Sequence, residues 1–153
     1  MTRAFVGLGS NLGDREALLR RAVAAIDGLR GTEVRAVSTF RDTEPVGITD
    51  QPRFLNGAAE LETSLSAREL LAALLEVERR LGRDRSGVPR GGPRTIDLDL
   101  LVYGDARISE PGLEIPHPRL AERRFVLEAL VDLDPRLEVP AKGRVQALLA
   151  ELR

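Results

Sequence analysis

Asp97 and Asp99 are the pair of side chains whose type and spacing point most directly to chemistry, because they alternate with apolar residues in Ile96-Asp97-Leu98-Asp99-Leu100-Leu101-Val102. With a period of two, this stretch is a strand that turns Ile96, Leu98, Leu100 and Val102 to one face and Thr95, Asp97, Asp99 and Leu101 to the other. At about 3.3 Å of rise per residue, the two aspartates stand roughly 6.5 to 7 Å apart at Cα. That separation suits two oxygen-seeking cations. Mg2+ is usually held by one or two protein carboxylates, with waters and substrate phosphates completing its octahedron. A bare Asp-x-Asp is more often the solvated side of an amphipathic strand, but aspartate is depleted in strands, and here a basic loop precedes it. Gly82 to Arg94 carries four arginines among four glycines and two prolines. It reads either as a solvated tether or as a lid that closes guanidinium groups on phosphate.

Composition narrows the chemistry further. With 153 residues the chain fits one domain, 1–153, with a full core. There is no cysteine and one histidine, His117, so thiolate metal sites, cysteine nucleophiles and multi-histidine metal sites are excluded. The absence of cysteine agrees with a reducing compartment, and no run has the length of a membrane span or a signal peptide, so a soluble, cytoplasmic monomer is expected. A net charge of -1 lacks the basic footprint of a nucleic-acid binder, so neither nucleic acid nor membrane is an expected partner. Positive charge must act locally, and all of it but Lys142 is arginine, a planar, bidentate phosphate donor.

The elements that would position the aspartates follow from periodicity and capping. Residues 2 to 8 form a short buried strand, and Gly9-Ser10-Asn11-Leu12-Gly13 a turning loop. Asp14 caps a helix with Leu19, Val23, Ile26 and Leu29 on one face, stopped by Gly31. The glycine spacing of this loop departs from the dinucleotide fingerprint. Residues 33 to 41 are a second strand, with Val34, Val37 and Phe40, and 42 to 52 a long irregular loop of the kind that tends to be functional. A third strand sets Leu55, Gly57, Ala59 and Leu61 opposite Asn56, Ala58, Glu60 and Glu62. Ser66 and Glu69 make a capping box for a helix through Leu70, Leu74, Val77 and Leu81, with Gly82 as its C-cap. The aspartate strand is fourth. A turn-rich passage follows to Pro118, then helical segments over 119–133 and 144–152. Strand, helix, strand, strand, helix, strand is the split βαβ order of a ferredoxin-like α+β sheet, with helices on one face and additional C-terminal elements.

Gly92-Pro93-Arg94-Thr95-Ile96-Asp97-Leu98-Asp99 closely resembles the signature of the 6-hydroxymethyl-7,8-dihydropterin pyrophosphokinase family. Gly9-Ser10-Asn11-Leu12, Asp50 to Asn56, Leu61-Glu62-Thr63 and Pro116-His117 match in the same order, so the resemblance spans essentially the whole chain. It implies transfer of pyrophosphate from ATP to the pterin hydroxymethyl group, releasing AMP, with two Mg2+ ions held by Asp97 and Asp99. It further implies that Phe54 and Phe125 sandwich the pterin, and that Asn56, Thr43 and the backbone of the 43 to 46 loop, Val46 included, meet its polar edge. Arg83, Arg85, Arg94, His117 and Arg123 would face the phosphates of ATP, with Arg83 and Arg94 aiding catalysis, and Leu100 and the chain near Glu114 would border adenine. Glu78 also occupies a family position near the site, without a role attached. Gly91 stands where some members carry an aromatic residue, and Pro118 where some carry tyrosine.

Two other classes share parts of this pattern. Ferredoxin-like sheets also bind RNA, but 3 % aromatic content leaves no aromatic strand on which bases could stack. A nucleotide-sugar transferase or nucleotidyltransferase would use the same metal logic, and is told apart by its products.

Overall fold

The structure is a computed structural model that describes residues 1–11, 13–44, 52–83 and 96–152, with Arg83 by its backbone alone. β1 (Thr2–Ser10), β2 (Thr32–Val37), β4 (Phe54–Thr63) and β5 (Asp97–Tyr103) form an antiparallel sheet in the order β2-β4-β1-β5. This is the split βαβ order. α1 (Arg15–Asp27) and α2 (Ala67–Arg83) cover one face. Asp14 Oδ1 accepts the Ala17 N–H at the start of α1, and Ser66 and Glu69 exchange both bonds of the capping box before α2. Leu19, Ile26, Leu70 and Leu74 are fully buried on this face against Val6, Leu61 and Leu98.

The other face carries a second core. Phe5, Leu101 and Val102 pack there with Leu120 and with Val126, Leu127 and Leu130 of α3 (Arg124–Leu133), joined by Val145 of α4 (Val145–Glu151). Two small hairpins complete the described chain: β6 (Ile108–Glu110) with β7 (Leu113–Ile115), and β8 (Glu138–Val139) with β9 (Gly143–Arg144). None of the described helices is long and apolar enough to cross a membrane.

Several elements differ from their sequence-based outline. Phe5 pairs with Val102 but Val6 with Leu100, so Leu101 is an extra residue in β5. A bulge resets the alternation, and Val102 joins Leu101 in the second core while Ile96, Leu98 and Leu100 remain in the first. The expected strand 33–41 ends at Val37, and β3 (Arg41–Thr43) resumes on the same partner, β4. Ser38 explains the break, because its hydroxyl accepts the Ala58 N–H at 2.8 Å in place of a backbone carbonyl. β1 runs on through Gly9 and Ser10, which are strand residues and not a turn. α1 ends at the Gly28 cap, and Gly31 instead supplies a left-handed φ of 68° in the turn to β2. Gly82 lies inside α2, where burial of Val77 and Leu81 outweighs the roughly 1 kcal/mol that a helical glycine costs. The segment 119–133 divides into a 3-10 turn at Leu120–Glu122 and α3.

Candidate active site

Sheet register builds the site. Asp97 lies opposite Gly9 and Asp99 opposite Gly7. On its other side, β1 sets Gly9 against Asn56 and Gly7 against Ala58. Directly opposed residues share a face, so a row without side chains separates the carboxylates of β5 from the amide of β4. With strands about 4.8 Å apart, the trough between Asp97 and Asn56 is about 10 Å wide. Gly9 has a close-approach reason to be glycine: a Cβ there would stand 2.8 Å from Asn56 Oδ1. Asn56 is in turn held by donating Nδ2–H to Thr43 Oγ1 across the β3–β4 pair.

A cavity of about 200 Å3 occupies this trough. Its walls bring together Asp97, Asp99, Thr43, Phe54, Asn56, His117, Arg123 and Phe125, all singled out in the sequence. Phe54 opens β4, and Phe125 stands in the first turn of α3. Gly7, Gly9, Leu101, Leu120 and Val126 also line it, none of them assigned to a site from the sequence, and so does Glu44, which belongs to the 43 to 46 loop expected at the pterin edge. The available signal was the series Phe5, Gly7, Gly9, in which every second residue of a strand shrinks to hydrogen. Val46, Arg85 and Arg94 lie outside the described residues, as does the side chain of Arg83.

A second, more open cavity of about 390 Å3 adjoins the first. Leu71, Leu75 and Glu78 of α2, Leu100 of β5, and Leu113 and Glu114 of the β6–β7 hairpin line it, so Leu100 and Glu114 fall together as expected. Asp99 and His117 line both cavities. His117 is fixed there by its own N–H, which donates to the carbonyl of the bulged Leu101 at 2.9 Å. Its Nδ1 accepts the Arg119 N–H at 3.2 Å, which assigns the proton of the neutral ring to Nε2. Burial pushes the His117 pKa below its usual value; Asp99 opposes this and Arg123 and Arg119 add to it. A neutral imidazole protonated at Nε2 is a hydrogen-bond donor.

Salt bridges hold the rim. Asp42 takes bonds from Arg15 at 3.0 Å and Arg53 at 2.8 Å, and these guanidinium groups hold its pKa at about 2. Arg53 also pairs with Glu44. Arg41 of β3 forms a bidentate pair with Asp132 of α3 at 2.8 and 3.0 Å.

The donor set fits Mg2+. Asp97 and Asp99 offer carboxylate oxygens, half-buried at a cavity wall, and among the described residues no group of three His, Cys, Asp or Glu forms a protein-only cage. Mg2+ favours such sparse sites, which leave room for waters and phosphate.

A ferredoxin-like α+β sheet with paired carboxylates at the wall of a cavity, one of them shared with a second cavity, is an arrangement suited to metal-assisted group transfer. Residues 5–135 match the family model of 7,8-dihydro-6-hydroxymethylpterin-pyrophosphokinase, and the chain belongs to that family. It is 45 % identical over 138 residues to the 2-amino-4-hydroxy-6-hydroxymethyldihydropteridine pyrophosphokinase of Bacillus subtilis, covering 90 % of this chain and 81 % of that protein. The Pseudomonas aeruginosa protein of the same name is 42 % identical, over 97 % of this chain and 90 % of its own length. A crystal structure of a Plasmodium falciparum HPPK-DHPS triple mutant superposes with a TM-score of 0.76 at 15 % identity, over 97 % of this chain and 44 % of that one, and so shares the fold.

Proposed function

We propose that the trough takes the pterin, that the second cavity takes ATP, and that Asp97 and Asp99 hold two Mg2+ ions where the two meet. The chain is a pyrophosphokinase of folate biosynthesis. It transfers the terminal pyrophosphoryl group of ATP to 6-hydroxymethyl-7,8-dihydropterin, giving AMP and the pterin diphosphate. One observation carries the division of substrates: Asp99 and His117 belong to both cavities, whereas Asn56 and Phe125 border only the trough and Leu100 and Glu114 only the second cavity.

In this reading the protein acts by placement and charge. Phe54 and Phe125 hold the pterin ring, while Asn56 and Thr43, already bonded to each other, present fixed polar groups to its edge. The Asn56 amide thereby reads a heterocycle without first losing side-chain freedom. His117 donates Nε2–H to a phosphate oxygen, and Arg123 at the head of α3 faces the same charge. Arg83, Arg85 and Arg94 complete the phosphate contacts, Arg83 and Arg94 stabilising the transition state, and the backbone near Val46 meets the pterin. Bound Mg2+ supplies neutralisation of phosphate charge and a lowered pKa for the attacking hydroxyl. The hydroxymethyl oxygen gives up its proton to solvent and forms its new bond to the β-phosphorus, the bond from that phosphorus to the α–β bridging oxygen breaks, and AMP carries that oxygen away. A monomer of one domain, 1–153, is proposed with this reading. The absence of cysteine supports the cytoplasm as its place.

The experiment is incubation with Mg-ATP and the hydroxymethyl dihydropterin, with nucleotides resolved by chromatography. AMP and pterin diphosphate in equal amounts are expected. ADP or free pyrophosphate as the initial product would overturn the reading.

A further inference from the structure

The outer strand of a sheet leaves every second amide without a strand partner, and such an amide needs another acceptor. β5 is outermost on its side of the sheet. Between its two aspartates, the Leu98 N–H donates at 2.7 Å to Oε2 of Glu78, which α2 brings alongside. Glu78, Leu98 and Asp99 all border the second cavity, and the Leu98 side chain is buried in the first core. The bond thus joins a helix to the strand edge at the residue that separates the two carboxylates. Asp97 and Asp99 ride on either side of it, so twist or slip of this edge moves both.

We propose that Glu78 is a positioning residue. By accepting the Leu98 amide, its carboxylate fixes the outer edge of β5 and with it the separation and aim of Asp97 and Asp99. The inference rests on the reading of those aspartates as the metal-holding pair. Glu78 acts here as an acceptor and not as a metal ligand, in keeping with the absence of a three-carboxylate cluster among the described residues. A neutral side chain of the same shape and with the same acceptor oxygen therefore serves, and an apolar one does not.

Glu78→Gln and Glu78→Ala in the full chain test this, with Glu78→Leu in place of the alanine variant should that fail to fold. Exchange of the Leu98 amide is followed by NMR without metal or nucleotide, and kcat, the Mg2+ requirement and the pterin KM are measured beside it. In Glu78→Ala, Leu98 exchange should quicken about tenfold, as loss of a charge-assisted bond dictates. Its kcat should fall, and its Mg2+ requirement rise, by about 10- to 100-fold, the usual cost of removing a support of metal ligands. Its pterin KM should hold, and Glu78→Gln should stay near wild type throughout. A Gln variant as impaired as the Ala variant would show that charge matters and not acceptance, and would overturn the proposal. Unchanged Leu98 exchange in Glu78→Ala would overturn it equally. Normal turnover in Asp97→Ala and Asp99→Ala would instead sink the underlying metal reading, a failure visible apart from the exchange result.

Discussion

The two faces of β1 show how one strand can both close a core and open a site. Toward α1 and α2 it presents Ala4, Val6 and Leu8, all buried at 2 % exposure or less. Toward the other side it presents Phe5, which joins the second core, then Gly7 and Gly9, which line the trough. On the closed face side chains fill space to the density of an interior. On the open face they are withheld, so the neighbouring strands' Asp97, Asp99 and Asn56 look across a bare backbone. The site is produced as much by two missing side chains as by the residues that surround it. The C-terminal elements then cover only the Phe5 end of this face, and α3 brings Phe125 and Arg123 to the boundary.

If the open face carries the chemistry and the closed face the stability, substitutions on each should separate the two. The largest effect is expected from Asp97→Ala or Asp99→Ala. Loss of several kcal/mol of transition-state charge stabilisation lowers turnover by about 100-fold or more, and thermal unfolding should shift little because both side chains are half-exposed. Near-normal initial rates in both variants would end the two-carboxylate reading. On the closed face, Leu74→Ala removes a fully buried side chain. It should cost about 2 to 5 kcal/mol in urea unfolding, with kcat per folded molecule retained. A fall in kcat without a fall in stability would erase the distinction between the faces.

The closed face was the more legible of the two, and the reason is physical. Leu70, Leu74, Val77 and Leu81 recur at helical spacing, and Ser66 with Glu69 marks where that helix starts, so periodicity and capping agree over many residues. On the open face, Asp97 and Asp99 were visible because charges interrupt an apolar strand. The sequence places Gly7 in a short buried strand and Gly9 in the turn that follows, since glycine signals a turn and a bare strand face alike. The bulge at Leu101 left no trace, because Leu100-Leu101-Val102 is apolar on both faces and carries no phase. β6 to β9 have two or three residues each, too few to show a period. The break at Ser38 depends on a side-chain bond to β4 that only the paired strands reveal.

Gly7 and Gly9 allow a finer comparison within the open face. A methyl at position 9 would lie 2.8 Å from Asn56 Oδ1, whereas one at position 7 would meet Leu101 at 3.5 Å, an ordinary contact. Gly9→Ala should therefore displace Asn56, costing about 1 to 3 kcal/mol of stability and raising the pterin KM about tenfold, the equivalent of one neutral hydrogen bond. Gly7→Ala should leave stability near wild type and raise the pterin KM by filling the trough. Equal stability loss in both would mean that the strand backbone, and not Asn56, sets the requirement for glycine.

The smallest expected effect lies at the ion pair of Arg41 and Asp132, which joins β3 to α3 while remaining partly exposed. A surface pair of this kind contributes about 0.5 to 1 kcal/mol, so Asp132→Asn should lower stability by that order and leave kcat unchanged. Its signature is pH dependence. Bonding to Arg41 lowers the Asp132 pKa, and Arg15 and Arg53 hold Asp42 at about 2. A carboxyl with a depressed folded-state pKa binds fewer protons in the folded than in the unfolded chain. Its contribution is complete above the unfolded value near 4 and is lost as pH falls through the lower folded value. Wild-type stability should thus decline between about pH 4 and pH 2, and Asp132→Asn should decline less steeply there while matching the wild-type slope above pH 5. Urea midpoints at pH 3 and pH 7 measure the difference. An identical acid slope in the variant would place the stabilising charge elsewhere, on Asp42 with its two arginines or on Glu69 with its Ser66 bonds.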